Sequence, residues 1–413
     1  MKPSSRARVA AAITLSKGKM YEYRVPLGDH LELPADLNLE QQFPLAIGTL
    51  GDFAAETVMK TIQLPLPDHT TPREEVTFAA QVLQAFDDSL LNEELSFELR
   101  LLAAASFYLG DVPGSAAVLV KRLALMKHPA NDPLAIAVRV ALDRPWVRVG
   151  VRVVNEQAAA VLTALRQHFQ TGSGEGSQEA IQNLRRWAYE SASAHELLLA
   201  DVLGAVSSIR IANSGWTLLP LYTGLSRDAW RNYLSRPAAI KEMWPSQRML
   251  GEAGLYRGES GVVQMPTSAG KTKATELILR AAFLSGRTNL AVVVAPFRAL
   301  CQEIANDLVS AFADDGYRVN QLSDALQPDF TSELFEVFDI AVDQVPHVVV
   351  LTPEKLLYVL RQDPRLVKVL GLIVYDEGHQ FDTGTRGVTY ELLLTSIKRL
   401  LPAKAQTVLI SAV

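Results

Sequence analysis

Cysteine is nearly absent: Cys301 is the only one in 413 residues. No disulfide can close within the chain and no cysteine-based zinc site can be built from it, so a reducing, cytoplasmic setting is expected. Long apolar runs are missing as well. The longest stretch without charge, Ile211 to Ser226, carries Asn213, Ser214, Gly215, Thr217, Pro220 and Gly224. Such residues are costly or helix-breaking in lipid, so the stretch reads as a buried loop-and-helix segment. At the amino end, basic residues precede a short apolar run, but Lys17 and Lys19 interrupt it, and neither a signal peptide nor a membrane helix is expected. Basic excess is also lacking. Lys and Arg number 40 against 45 Asp and Glu, a net charge of −5, so the chain has no overall pull on a polyanion and any such binding needs a local groove.

What is present is a globular balance, with 48% hydrophobic and 21% charged residues, in a chain too long for one typical core. Its character changes near residue 240. Residues 1–70 are mixed, with a short extended candidate at Met20 to Val25. Residues 71–240 form a mainly helical domain that has the size to dock a partner. Glu93 to Leu109 and Ser115 to Met126 predict a helical hairpin around Gly110-Asp111-Val112-Pro113-Gly114, and Glu156 to Phe169 and Gln178 to Ser207 predict further helices. The hairpin looks like one tetratricopeptide-type unit, but no second copy follows at a fixed period, so a generic helical domain is expected. The glycine-rich stretch Thr171 to Ser177 lacks the preceding strand a dinucleotide loop needs and reads as a flexible linker.

Residues 241–413 alternate short apolar strands with amphipathic helices. Strands are expected at Gly261 to Gln264, Leu290 to Val294, His347 to Leu351, Leu372 to Tyr375 and Thr407 to Ile410. Helices are expected at Thr272 to Leu284, Arg298 to Phe312, Glu354 to Leu360 and Val388 to Leu400. Continuous Val, Ile and Leu runs with helices between them predict an α/β fold, a parallel sheet with helices on both faces, whose ligands bind at the carboxyl ends of the strands.

The chemistry-bearing residues fall at those ends. Pro266-Thr267-Ser268-Ala269-Gly270-Lys271-Thr272 follows the first strand and opens a helix, the context of a phosphate-binding loop. Backbone N–H groups would face the phosphates, Lys271 would reach the β- and γ-phosphates, and the Thr272 hydroxyl can ligate Mg2+. Met265 stands where the full loop pattern has its first glycine. Leu372 to Tyr375 then runs into Asp376-Glu377-Gly378-His379. Asp376 can hold magnesium through its water shell, and Glu377 can orient and deprotonate an attacking water. Taken alone, Asp376-Glu377 would read as a solvated acidic turn; a phosphate loop upstream favours catalysis. His379 suggests a hydrogen-bonding coupler between the nucleotide site and other parts of the molecule. No Leu-Ser-Gly-Gly-Gln signature of a transporter ATPase and no Asn-Lys-x-Asp guanine reader occurs, so ATP is preferred over GTP.

These motifs resemble superfamily 2 helicases of the DExH type, in the branch that includes the Ski-complex RNA helicase, archaeal repair helicases and the helicase part of DNA polymerase theta. PTSAGKT and DEGH look like motifs I and II. Trp244-Pro245-Ser246-Gln247 looks like the adenine-reading glutamine motif, with Gln247 as the contact. Pro296-Phe297-Arg298-Ala299-Leu300 looks like motif Ia and Thr352-Pro353-Glu354-Lys355-Leu356 like motif Ib. Arg386-Gly387 also fits the branch, and Ser411-Ala412-Val413 looks like motif III with valine in place of the usual threonine. The resemblance covers Met243 to Val413.

It implies a RecA-like domain of the P-loop NTPase class that binds ATP and Mg2+. Pro296, Arg298, Thr352, Pro353, Arg386 and Gly387 would lie along the backbone of a single strand, with DNA slightly favoured over RNA. The second RecA-like domain, with its arginine fingers, is not in these residues, so this part alone is expected to bind ATP weakly and hydrolyse it poorly. Bacterial antiviral systems pair helicases of this general look with effectors, so a defence role with an effector or nuclease subunit on the helical domain is a further expectation. A competing reading, from another class, is an ATP-controlled switch that docks a partner without unwinding. Intact Lys271, Asp376 and Glu377 favour the enzyme.

Overall fold

The computed structural model describes residues 20, 25–26, 28, 39–67, 70–88, 96–126, 132–147, 154–266, 270–321, 345–362, 369–378, 384–400 and 404–412. The chain divides into two compact units, Met1–Thr217 and Leu218–Val413. Among the described residues no helix is long and apolar enough to cross a membrane.

In the first unit the described elements are helices: α1 (Leu39–Thr61), α2 (Arg73–Asp88), α3 (Ser96–Leu109), α4 (Pro113–Ala124), α5 (Pro133–Leu142), α6 (Glu156–Thr171), α7 (Ser177–Ser191) and α8 (Ala194–Ala212). They share one apolar core in which Leu50, Leu83, Ala103, Ala104, Val138, Leu165 and Val202 are fully buried. The hairpin expected from the sequence is α3 and α4, though Glu93 lies outside the described residues. Residues 21–24 of the extended candidate also lie outside them. Helix α1, which the sequence reading did not assign, packs on α2 and α8 and contributes Ala46, Leu50, Ala54 and Val58 to the core.

The single helix expected over Gln178 to Ser207 is in fact two. Ser193 leaves the helical conformation and caps α8: its hydroxyl accepts from the Glu196 N–H at 3.3 Å, and the Glu196 carboxylate accepts from the Ser193 N–H at 2.8 Å. This reciprocal capping box supplies acceptors to two of the N–H donors that a helix start leaves open. Its Ser-x-x-Glu spacing was present in the sequence, inside a helical periodicity that hid it. The stretch Gly172–Gly176 is a short turn between α6 and α7, closed by a hydrogen bond from the hydroxyl of Ser177, the first residue of α7, to the Gly174 carbonyl at 2.7 Å.

The second unit contains a six-stranded sheet in the order β1-β6-β5-β2-β4-β3. The strands are β1 (Gly261–Gln264), β2 (Leu290–Val294), β3 (Arg318–Gln321), β4 (His347–Leu351), β5 (Leu372–Tyr375) and β6 (Gln406–Ser411), and every pairing is parallel. Strand β3 was not expected: its Arg-Val-Asn-Gln sequence has one apolar residue, which suffices at a sheet edge where only one neighbour is paired. Helices α12 (Lys271–Leu284), α13 (Arg298–Phe312), α14 (Pro353–Gln362) and α15 (Gly384–Leu400) connect the strands. On one face Val292, Val294, Val349, Leu351, Ile373 and Tyr375 pack with Leu356, Val359 and Leu360 of α14 and with Leu393 and Ile397 of α15. On the other, Val293 shares a cavity wall with Thr275 of α12 and with Ile304 and Leu308 of α13. Every residue of β2, β4 and β5 is buried, the pattern a doubly covered parallel sheet requires.

Within the first unit, Asp201 of α8 is buried with Arg185 of α7, whose Nε lies 3.4 Å from its carboxylate. Burial pushes the Asp201 pKa up to about 6 from 3.8, and Arg185 offsets this only in part. A raised carboxyl pKa means that the folded chain holds a proton the unfolded chain has released. Stability is therefore fullest below the unfolded value and falls as pH rises through the folded one, by up to about 3 kcal/mol for two pH units. Hydrogen exchange across α7 and α8, corrected for intrinsic rates, should show protection falling between pH 4 and pH 6. Asp201→Asn should flatten that dependence.

Candidate nucleotide and nucleic-acid site

Strand β1 ends at Gln264 and the chain turns through Met265 and Pro266. Met265 is 3% exposed, and its N–H continues the ladder to the Ser411 carbonyl at 3.0 Å. A side chain packed inward thus takes the place of the first glycine of the loop pattern. Thr267, Ser268 and Ala269 lie outside the described residues. Gly270 precedes α12 with φ +83, a left-handed conformation that a Cβ would strain, and Lys271 and Thr272 open the helix.

Strand β5 delivers the carboxylates. The Asp376 N–H donates to the Val294 carbonyl at 2.8 Å, carrying the β5–β2 pairing one residue beyond the strand. Glu377 then turns into the left-handed region with φ +54, a conformation that costs a non-glycine residue on the order of 1–2 kcal/mol. The turn swings its side chain back over the sheet end, where its Oε1 lies 2.6 Å from the Lys271 Nζ. Both side chains are largely shielded, at 14% and 22% exposure. Lys271, Thr272, Asp376 and Glu377 line one cavity of about 120 Å³ together with Thr275, Leu300, Glu303, Ile304 and Asp307. Lys271 and Glu377, 106 positions apart in sequence, thus meet because β1 and β5 run parallel with only β6 between them. Ser411, at the end of β6, stands between the phosphate loop and the carboxylates. Val413 and His379 lie outside the described residues.

Gln247 also reaches this site. It is 6% exposed, on helix α11 (Pro245–Glu252); helices α9 (Gly215–Thr223) and α10 (Arg227–Leu234) precede it. Its Oε1 accepts from the Trp244 N–H at 2.9 Å, and its Nε2 would lie 3.6 Å from a Cβ at Gly270. The helix is seated by close contact. A Cβ at Gly251 would fall 2.2 Å from the Tyr222 ring, so only glycine allows this approach. Arg257 donates to the Tyr222 carbonyl at 3.1 Å and the Leu221 carbonyl at 2.7 Å.

A buried ion cluster holds α12 in place. Arg280, 1% exposed, donates to Asp315 at 2.6 Å and to Glu276 at 3.3 Å, with its guanidinium 4.1 Å from the Tyr233 ring and 4.9 Å from the Phe312 ring. Arg236 grips the same Asp315 through two bonds of 2.8 and 2.7 Å. Burial alone would raise the Asp315 pKa, but hydrogen bonds from Arg236 and Arg280 outweigh it and hold the carboxyl below its ordinary value. The sequence reading missed this cluster. Its signal was a lone arginine inside the apolar window Leu277 to Leu284, which requires buried partners.

The expected strand-holding turns lie side by side at the carboxyl edge. Val294 pairs with Leu351, and the Ala295 N–H donates to the Leu351 carbonyl at 3.1 Å. Phe297 and Arg298 are exposed, whereas Pro296, Thr352 and Pro353 are buried and shape the turns. Gly387 is buried in α15; the Arg386 side chain lies outside the described residues.

Residues 244–413 match the family model described as DEAD/DEAH box helicase. The chain is 35% identical over 182 residues to the Hachiman protein HamB of Bacillus cereus, a match covering 44% of this chain and 15% of that protein. It is 30% identical over 173 residues to the ATP-dependent DNA helicase Hel308 of Thermococcus kodakarensis, covering 42% of this chain and 14% of the relative. A probable ATP-dependent DNA helicase, HFM1, of Xenopus tropicalis is 30% identical over 152 residues, covering 35% and 11%. The chain therefore spans less than a sixth of each of these relatives.

Asp315→Asn should lower the stability of the second unit by about 3 kcal/mol, because the buried Arg280 and the partly buried Arg236 lose a charged partner. Urea unfolding would read this as a lower midpoint. The wild-type advantage should be fully present above the ordinary carboxylate range and vanish as pH falls through the depressed pKa of Asp315.

Proposed function

We propose that this chain, with its DEAD/DEAH box helicase domain at residues 244–413, is the nucleotide-binding half of an ATP-driven motor that moves on single-stranded nucleic acid. The observation that carries the reading is the Lys271–Glu377 pair at 2.6 Å, which joins the phosphate-loop cation to the candidate base within the cavity that Thr272 and Asp376 also line.

The pair defines an order of events. Without nucleotide, Lys271 and Glu377 neutralise each other. Triphosphate entering the loop competes for Lys271, since its oxygens carry more charge than one carboxylate. Glu377 is then released beside the γ-phosphate position with its acceptor oxygens available. There it can orient a water and take its proton as the phosphoryl group transfers. Gln247, fixed by the Trp244 N–H and set beside Gly270, is placed to meet the adenine edge.

Thr272 and Asp376 are hard oxygen donors facing one cavity, which fits Mg2+. Among the described residues no group of three or more His, Cys, Asp or Glu could hold a metal unaided, and Mg2+ is ordinarily bound through one or two protein oxygens, waters and substrate phosphates. When bound, the ion would neutralise charge on the phosphates.

Arg298 and the amino end of α13 supply phosphate ligands without base information, which suits a motor that must run on any sequence. DNA is slightly favoured over RNA as the track, supported by the DNA helicases among the relatives. The reading extends to a role in antiviral defence, with an effector or nuclease subunit docked on the helical unit, and to a cytoplasmic location. Its support is the similarity to the Hachiman protein HamB.

ATP hydrolysis by the intact protein, measured with single-stranded DNA, RNA and duplex, tests the reading. One single-stranded polymer should stimulate turnover strongly. Glu377→Gln should reduce the stimulated rate about 10²- to 10⁴-fold while keeping or tightening ATP binding, because Lys271 loses its competing carboxylate. Stimulation by no polymer would instead point to a partner-gated switch.

A further inference from the structure

We propose that Phe297 is a stacking platform for a nucleobase, so that this unit grips a single strand by a base as well as by phosphates; the inference rests on the reading of the unit as a motor on single-stranded nucleic acid. Phe297 stands between Pro296 and Arg298 and occupies the N-cap of α13 in an extended conformation, φ −131 and ψ 146. Its side chain makes no cap hydrogen bond there, since a phenyl ring has no acceptor to offer the open N–H groups that Ser, Thr, Asp or Asn would satisfy. The residue is also 45% exposed, in a turn whose other apolar members, Pro296 and the neighbouring Pro353, are buried. Helix capping does not call for an aromatic ring at this position, and nearly half of the residue's surface stays open to solvent.

The surroundings suit a polyanion. Arg298 is exposed beside the ring, and the first N–H groups of a 15-residue helix open on the same turn. The Thr352–Pro353 turn lies alongside through the β2–β4 pairing. It opens α14, which carries Lys355 and a second exposed ring, Tyr358, at 40%. Lys355 is half-buried and shares the first turn of α14 with the exposed carboxylate of Glu354. Aromatic faces interleaved with cations are the physical recipe for holding unpaired bases without reading their identity, because every base presents a π face. A base paired within a duplex has both faces covered by its neighbours. Phe297 would therefore favour single strands over duplex.

The test measures binding of the full chain to labelled oligo-dT, oligo-rU and an abasic strand of equal length and charge. Wild type should bind at least one base-bearing strand more tightly than the abasic one. Phe297→Ala should weaken base-bearing binding about 5- to 100-fold and leave the abasic strand unchanged, with Phe297→Tyr restoring affinity and Phe297→Leu failing to. Equal losses on dT and rU would mark a stack blind to the sugar, and a loss on one alone would name the track; either supports the platform. Unchanged affinity in Phe297→Ala, or equal weakening on base-bearing and abasic strands, would overturn it. Wild type that binds none of the three strands would overturn the motor reading itself.

Discussion

Strands covered on both faces have only their ends to offer to solvent, and the functional geometry of the second unit follows from that. Strands β2, β4 and β5 are buried throughout, so their side chains serve as packing or, at Val293, as cavity wall, and the polar chemistry is left to the strand ends. Because all the pairings are parallel, every turn that leaves a strand's carboxyl end opens on the same edge. The phosphate loop, the carboxylates, Ser411 and the two candidate strand-holding turns are thereby gathered into one row, although they are scattered over some 150 residues of sequence. The Lys271–Glu377 contact is the tightest expression of this gathering. It needs no dedicated loop to bring its members together, only a common direction of the strands.

Much of this was legible beforehand because the signal was local. The apolar runs of β1, β2, β4 and β5 begin and end where the sequence places them, since runs of Val, Ile and Leu bounded by polar residues leave few alternatives. Asp376 and Glu377 follow directly from such a run. What escaped the reading depends on partners far away in sequence. Strand β3 is polar, and only its pairing with β4 makes it a strand. The break before α8 was written as Ser193-x-x-Glu196 but masked by continuous helical periodicity on either side. The ion cluster needs Arg236, Arg280 and Asp315 together, and no single segment announces it. Phe297 was legible as a motif letter, while its exposure required the fold.

The strain at Glu377 and the charge beneath α12 serve the same end by different means. A left-handed glutamate is held in place by the hydrogen bond behind it at Asp376 and the ion pair ahead of it at Lys271. Helix α12, which carries that lysine in its first turn, is in turn held by Arg280 near its far end. The loop is thus positioned from both sides, by the sheet through Met265 and by the ion cluster through α12.

The family match begins at residue 244, whereas the compact unit begins at Leu218. The intervening residues include Tyr222, which seats the glutamine-bearing helix at Gly251, and Tyr233 and Arg236, which enclose Arg280 and Asp315. A boundary drawn where the motifs begin would cut through the interior of the unit and expose charges that the whole unit keeps neutral. The part that can be inherited, transplanted or fused as a working module is therefore larger than the part that sequence motifs mark out.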